Sequence, residues 1–268
     1  MAYLEVGDGR LYYEHHHRGG ALTVLLSHGF GMSLRAWDDV TAALTDAGYD
    51  VLAYDHRGCG QSDKDFSDVS VETQGSDIVA LCDAAGVDRV VLNGWSLGGA
   101  LVVDAAGKLG DRVAGLISTC GATPRYTQAE GFEYGGQAAD VAATVAALRA
   151  DRTNFLRGLY FEGVFAAEVS EAVKTHSWHI AMQASPAADA ALGALADVDQ
   201  RETMAGLSCP GLFVVGEADG VVAPDIGRAG AAMMPNASVL EMAGCGHAPF
   251  LEDAETYRSA ILAFLAGL

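Results

Sequence analysis

Basic residues are scarce in this sequence. Lys and Arg together number 16 against 35 Asp and Glu, so the formal net charge at pH 7 is -19. Proteins that bind nucleic acid use clustered Lys and Arg to neutralise phosphates, so this charge balance argues against a nucleic-acid partner. Such acidity indicates solubility and says little about the fold.

Cysteines are few, and long apolar runs are absent. The five cysteines are odd in number and lack the Cys-x-x-Cys spacing of metal sites, which favours buried, reduced thiols. Residues 1–5 contain no basic stretch that leads into an apolar run, so no signal peptide is expected. No apolar run reaches transmembrane length, so we expect a cytoplasmic protein without a membrane partner. Of the five, Cys59, Cys82, Cys120, Cys209 and Cys245, most are expected to be buried, and Cys120 and Cys245 are interpreted as packing residues.

Clusters with the spacing of metal ligands are scarce as well. The most suggestive run is His15-His16-His17. Neighbouring residues of a strand point to opposite faces, so three consecutive histidines cannot converge on one ion. The sequence therefore predicts neither a metal site nor a cofactor.

Short apolar runs alternate with helical patterns in the first 121 residues and again after residue 209. A hairpin around Gly7-Asp8-Gly9 is predicted to precede them. Repeated alternation of this kind predicts βαβ units and a parallel sheet with right-handed crossovers. The predicted strands are 22–27, 51–54, 90–95, 113–119, 211–216 and 237–242, of which the first two are expected to be buried on both faces.

The alternation stops between about residues 121 and 198. This Ala-rich segment lacks strand-like runs and predicts four short helices, at 140–150, 151–162, 168–183 and 185–196, with Asp151 and Ser185 as N-caps. We expect the segment to form a lid or cap over the side of the sheet that carries Ser96. Its large side chains could line an acyl pocket, although most are expected to pack between helices: Phe132, Tyr134, Phe155, Tyr160, Phe161, Phe165, Trp178 and Met182.

The motif Gly94-Trp95-Ser96-Leu97-Gly98 joins one of these strands to a helical pattern. A G-x-S-x-G motif in that context is the nucleophile elbow of a serine hydrolase. The sharp turn lifts Ser96 clear of the sheet, and the flanking glycines leave room for it. The N–H of Leu97, at the helix start, can then point at a developing oxyanion.

Two further loops leave neighbouring strands at the same edge of the sheet and carry Asp219 and His247. His247 can accept the Ser96 proton while Asp219 fixes the tautomer of the imidazole. The chain order Ser, Asp, His also matches this architecture. Glu217 and Asp225 are rival acids, and Asp219 is preferred because Glu217 lies too close to its strand and Asp225 begins a helix.

Two loops that follow the predicted strands 22–27 and 51–54 complete the pattern. In His28-Gly29-Phe30-Gly31, the N–H of Phe30 is a candidate second oxyanion donor, and Phe30 and Trp95 would provide an apolar wall. The charged run Asp55-His56-Arg57 is expected to brace its loop through hydrogen bonds and ion pairs.

These motifs together resemble the α/β-hydrolase superfamily, in its small capped branch of carboxylesterases, lactonases, haloperoxidases without a cofactor and carbon–carbon hydrolases. The resemblance implies a mostly parallel eight-stranded sheet flanked by helices. It also implies a core of residues 1–121 and 198–268, with a helical cap at 122–197. It assigns Ser96 as nucleophile, His247 as base and Asp219 as its orienter, and the N–H groups of Phe30 and Leu97 as the oxyanion hole.

The predicted function is hydrolysis of a small-molecule ester or lactone through an acyl-enzyme on Ser96. Candidate substrate-binding residues are Trp95, Phe30, Trp178, Tyr160 and Met182. Enol-lactone or carbon–carbon bond hydrolysis and perhydrolysis, the haloperoxidase-like reaction, remain alternatives, as does a non-catalytic ligand-binding protein on the same fold. The oligomeric state is open, a homo-oligomer included.

Overall fold

A single eight-stranded sheet organises the chain. The computed structural model describes residues 2–268, and the strand order in the sheet is β1-β2-β4-β3-β5-β6-β7-β8. Strand β2 pairs antiparallel with β1 and β4, while the other pairs are parallel. The predicted mostly parallel sheet is therefore confirmed. The strands are β1 (Ala2–Val6), β2 (Gly9–His16), β3 (Thr23–Ser27), β4 (Asp50–Tyr54), β5 (Val90–Trp95), β6 (Val113–Thr119), β7 (Gly211–Gly216) and β8 (Ala237–Met242).

Helices cover both faces of this sheet. They are α1 (Asp38–Asp46), α2 (Val71–Ala84), α3 (Leu97–Leu109), α4 (Ala138–Ala150), α5 (Arg152–Gly158), α6 (Glu171–Ala181), α7 (Asp189–Ala194), α8 (Arg201–Gly206), α9 (Pro224–Met233), α10 (Pro249–Glu252) and α11 (Ala254–Ala266). Short 3₁₀ turns lie at Leu34–Trp37, Gly110–Arg112 and Pro186–Ala188, and a π-helical turn at Leu159–Gly163.

The alternation of side chains along the central strands separates two hydrophobic cores. Leu25, Leu52 and Leu92 face one core, together with side chains of α2, α3 and α9. Their neighbours Val24 and Val51 face the other core, with α1 and α11. Successive residues of a strand point to opposite faces, so strands covered on both sides need apolar residues at every position. This explains why the central strands appear in the sequence as continuous apolar runs.

The segment between β6 and β7 is helical and contributes no strand to the sheet. The predicted helix at 151–162 ends its α-helical part at Gly158 and continues as the π-helical turn, and the predicted helix at 185–196 divides into a 3₁₀ turn and α7. The two predicted N-caps are confirmed, because Asp151 accepts from the Asn154 N–H and Ser185 from the Ala187 N–H. Within residues 2–268, no helix is both long and apolar enough to cross a membrane.

Candidate active site

Ser96 occupies a strained turn between β5 and α3. Its φ of 57° and ψ of -121° lie in a region that L-residues rarely adopt. The surrounding backbone needs glycine, because a Cβ on Gly94 would come within 2.2 Å of the Gly98 carbonyl oxygen, and one on Gly98 within 2.4 Å of the Ser27 oxygen. The turn is fixed by hydrogen bonds from the Ser96 N–H to the Thr119 oxygen and from the Gly99 N–H to the Ser96 oxygen. Packing thus maintains the strained serine.

Asp219 and His247 lie in contact at the carboxyl ends of β7 and β8. His247 Nδ1 is 2.8 Å from Asp219 Oδ2, the geometry in which the ring N–H donates to the carboxylate. The N–H groups of Val221 and Val222 donate to the other carboxylate oxygen at 2.8 and 3.0 Å. Both side chains are nearly fully buried. With Nδ1 as the donor to Asp219, Nε2 is the ring nitrogen left to accept a proton.

The backbone of His247 is held from two sides. Its N–H donates to the Val164 oxygen at 2.8 Å, and its carbonyl accepts from Trp95 Nε1 at 2.7 Å. Trp95 precedes Ser96 in the elbow, and Val164 belongs to the segment between β6 and β7. The imidazole is therefore positioned relative to both the elbow and that segment.

Glu252, at the end of α10, is a further positioning residue that the sequence did not indicate. Its carboxylate accepts from the N–H groups of Gly246 and Ala248, on either side of His247, at 2.8 and 3.0 Å. It also accepts from the N–H groups of Ala166 and Ala167, both at 2.9 Å. One carboxylate thus joins the His247 loop to the helical segment. Only the spacing of five residues between His247 and Glu252 could have suggested it.

Ser96 and His247 line the same cavity. Within residues 2–268, no hydrogen bond joins Ser96 Oγ to His247 Nε2. Catalytic hydrogen bonds are often long or poorly aligned before substrate binds. Ser96 is 9% exposed, so only a small part of the residue is accessible.

The candidate oxyanion donors flank the elbow. Among residues 2–268, neither the Phe30 N–H nor the Leu97 N–H has a backbone acceptor outside regular helices and strands. The side chain of Phe30 lines the cavity, whereas that of Leu97 packs in the core. The first N–H groups of a helix have no intrahelical partner, so the start of α3 can donate to an anion.

The cavity has a volume of about 90 Å³ and a mostly apolar wall. Of the predicted substrate-binding residues, Phe30, Trp95 and Tyr160 line it. Trp178 and Met182 do not, which corrects their assignment to its wall. Trp178 instead contacts Phe161 edge to face, and Met182 is 36% exposed. The other lining residues are Gly29, Ala122, Tyr126, Thr144, Phe155, Leu159, Val164, Leu192, Leu195, Val221 and Val222, besides Ser96 and His247.

A second, larger cavity adjoins the first and has a volume of about 340 Å³. The two cavities share Tyr126, Thr144, Leu192 and Val221 on their walls. The outer cavity also exposes polar groups such as Gln137 and Asp140. A substrate in the inner cavity could therefore extend a more polar portion outward.

The rival acids lie away from the imidazole. Glu217 is exposed, and Asp225 pairs with Arg228 at 2.8 Å. Cys120 lies nearer: one ligand atom each from Cys120, Asp219 and His247 lies within 4.8 Å of the others. Burial, followed by the Asp219 charge, raises the pKa of the Cys120 thiol, so the thiol is neutral and packs beside the carboxylate.

The run Asp55-His56-Arg57 braces its loop as predicted. Arg57 forms a bidentate pair with Asp77 at 2.6 and 2.8 Å, and Asp55 accepts from the backbone N–H groups of Leu34 and Gln61. The buried rings of His56 and His28 stack with centroids 3.6 Å apart. Burial lowers the pKa of His28 to about 3, and burial and His28 lower that of His56 well below 6.5. Both rings are neutral structural groups.

Comparisons with known proteins agree with this architecture. The family model described as alpha/beta hydrolase fold matches residues 23–254. A pimeloyl-[acyl-carrier protein] methyl ester esterase from Stenotrophomonas maltophilia is 28% identical over 91% of this chain and 93% of its own length. A bromoperoxidase from Bacillus anthracis is 29% identical, with a TM-score of 0.90 over 96% of each chain. An esterase from Exiguobacterium antarcticum has the same fold, with a TM-score of 0.94 at 24% identity over 98% of each chain.

Proposed function

Because this chain belongs to the family with the α/β hydrolase fold, we propose that it is a serine hydrolase of carboxylic esters or lactones. The nucleophile is Ser96, the base is His247 and the residue that orients the base is Asp219. The observation that carries the proposal is the buried contact of His247 Nδ1 with Asp219 Oδ2 on the wall of a cavity that also holds Ser96.

The reaction proceeds through an acyl-enzyme. Ser96 Oγ attacks the carbonyl carbon while His247 Nε2 takes its proton, and the resulting oxyanion is stabilised by the N–H groups of Phe30 and Leu97. The tetrahedral intermediate collapses, and the alcohol leaves with the proton from His247. Water, activated by the same imidazole, then attacks the acyl carbon and releases the acid.

The cavity favours a small-molecule substrate with a short apolar acyl group. Its volume is about 90 Å³, against about 340 Å³ for the adjoining cavity. The esterase relative supports ester cleavage as the reaction.

A perhydrolase reaction is the second candidate, since a bromoperoxidase is 29% identical to this chain. In that reaction hydrogen peroxide replaces water in the second step and produces a peracid. The same acyl-enzyme on Ser96 serves both reactions.

We further propose that residues 1–121 and 198–268 form the catalytic core and that residues 122–197 form a helical lid. Tyr160 and Val164 of that segment line the cavity, and Val164 also binds the His247 backbone. The proposed cellular location is the cytoplasm.

The proposal is tested with a panel of p-nitrophenyl esters and lactones on the wild type and Ser96→Ala. The variant should lose several orders of magnitude, retaining at most the ~10³–10⁴-fold acceleration that binding and an oxyanion hole provide. Ser118→Ala is the matched control, because that buried hydroxyl has no hydrogen-bond partner within the described chain. Equal activity in the wild type and Ser96→Ala would reject the mechanism. Peracid formation from acetate and hydrogen peroxide reports on the second reaction.

A further inference from the structure

The three consecutive histidines at the end of β2 divide between the two faces of the sheet. His16 points away from its neighbours and pairs with Glu14, with 3.4 Å between His16 Nε2 and Glu14 Oε2. His15 and His17, two positions apart, share the other face, and their ring centroids are 3.7 Å apart. The alternation that separates three histidines therefore brings the first and third together.

A carboxylate from the neighbouring strand completes this cluster. Strands β2 and β4 pair antiparallel with His15 opposite Leu52 and His16 opposite Val51, so the next step of the register brings His17 opposite Asp50. His17 Nδ1 lies 3.4 Å from Asp50 Oδ2. One ligand atom each from His15, His17 and Asp50 lies within 4.8 Å of the others.

The Asp50 carboxylate is held in place by its second oxygen. Asp50 Oδ1 accepts from the backbone N–H groups of Arg18 and Gly20 at 2.6 and 3.1 Å. With Oδ1 held in this way, Oδ2 is left to face the ring of His17, as a carboxylate ligand should.

His15 provides an independent sign that a partner is missing. Its Nε2 is buried and has no hydrogen-bond partner among residues 2–268. Buried polar atoms are rarely left without a partner in native structures.

We propose that His15, His17 and Asp50 form a binding site for a divalent transition-metal ion of the zinc class. Imidazole nitrogen and carboxylate oxygen are ligands that Zn²⁺ binds at about 2.0–2.2 Å, with one position left for water in a three-ligand site. Ligand atoms in such a tetrahedral site are about 3.4 Å apart. The side chain of His17 is 68% exposed, so its ring can make the small adjustment that the cluster needs.

The metal at this site would link the end of β2 to the start of β4. Asp50 is the first residue of β4, at the amino end of a parallel strand, whereas Ser96 follows the carboxyl end of β5. The site lies at the opposite edge of the sheet from the candidate active site. Its effect is expected on stability, and the proposal is independent of the proposed hydrolase activity.

The test is a Zn²⁺ titration of untagged, chelator-treated and desalted protein by isothermal calorimetry. The wild type should bind one Zn²⁺ through this site, and His17→Ala should weaken that binding at least tenfold. His16→Ala is the matched control and should change the affinity less than twofold, because its ring faces away. Since the His17 side chain is exposed, its removal leaves the fold intact, which circular dichroism verifies.

A thermal unfolding experiment gives a second readout. Zn²⁺ should raise the Tm of the wild type and of His16→Ala, because a ligand that binds the folded state stabilises it, and should leave that of His15→Ala/His17→Ala unchanged. The proposal is overturned if the wild type binds no Zn²⁺. It is equally overturned if His17→Ala binds Zn²⁺ with unchanged affinity. The ion would then bind elsewhere, for example at Cys120, Asp219 and His247.

Discussion

Asp219 holds His247 through one carboxylate oxygen while its other oxygen is fixed by its own loop. Oδ2 is 2.8 Å from His247 Nδ1, and Oδ1 accepts the N–H groups of Val221 and Val222. The loop therefore orients the carboxylate, and the carboxylate orients the imidazole. The tautomer and angle of the proposed base follow from this arrangement.

Asp219→Asn should lower kcat on an ester substrate by about 10³–10⁴-fold, because an amide cannot hold the required tautomer and cannot stabilise the imidazolium. KM should change little, since Asp219 Oδ2 faces the imidazole. Steady-state kinetics measures both quantities. Asp225→Asn and Glu217→Gln are the controls and should keep nearly full activity. A comparable loss in either control would reassign the acid.

Glu252→Gln should impair both stability and turnover. The carboxylate accepts four backbone N–H groups, and an amide in its place would turn N–H toward some of them. Hydrogen bonds to charged groups contribute about 1.5–3 kcal/mol, so the free energy of unfolding should fall by at least about 2 kcal/mol. Urea unfolding and kcat measure the two effects. Glu255→Gln, on the exposed first turn of α11, is the control and should leave both quantities unchanged. If Glu252→Gln also left the free energy of unfolding and kcat unchanged, Glu252 would not hold the His247 loop.

The acyl chain should be short. With a cavity of about 90 Å³ beside Ser96, p-nitrophenyl acetate and butyrate should have a higher kcat/KM than the octanoate. Leu159→Ala removes part of the wall and enlarges the cavity, so the acyl-chain length with the highest kcat/KM should increase. Met182→Ala, an exposed position of the same segment away from the cavity, is the control and should keep the wild-type profile. An octanoate preference in the wild type would contradict the cavity argument.

Acid should destabilise the fold through the buried pair His28 and His56. Their pKa values in the folded protein lie below 6.5, so the unfolded chain binds protons that the folded chain excludes. Their contribution to stability is complete above pH 6.5 and is lost as the pH falls from 6.5 toward 3. In that range each histidine should make the free energy of unfolding fall by about 1.4 kcal/mol for each pH unit of acidification.

Urea unfolding between pH 7.5 and 5 measures this slope. His56→Asn removes one titrating ring. The slope of the unfolding free energy against pH should therefore decrease by about 1.4 kcal/mol per pH unit, which corresponds to one proton. An unaltered slope in His56→Asn would show that other groups cause the acid sensitivity.

The sequence predicted the sheet and the elements that carry Ser96, Asp219 and His247, because these depend on local signals. A strand covered on both faces needs a continuous apolar run, and the elbow needs Gly94 and Gly98 where side chains would collide. The proximity of Asp219 to His247 also followed, since their loops leave neighbouring strands at one edge.

The cavity wall could not be predicted in the same way. Helices of the segment between β6 and β7 are Ala-rich, so composition does not reveal which face packs inward. Leu159 and Val164 line the cavity, while Trp178 and Met182 lie elsewhere. Glu252 was missed because its role depends on backbone N–H groups, which have no sequence signature. The cluster of His15, His17 and Asp50 required the register between β2 and β4.

The most direct test of the account is the labelling of Ser96 by a fluorophosphonate probe, followed by mass spectrometry. Such probes react with a serine whose hydroxyl is activated by a neighbouring base. The wild type should gain one adduct on the peptide that contains Ser96. Ser96→Ala should gain none, and His247→Asn should react far more slowly. An unlabelled wild type, or an adduct on another residue, would contradict the proposal that Ser96 is the nucleophile.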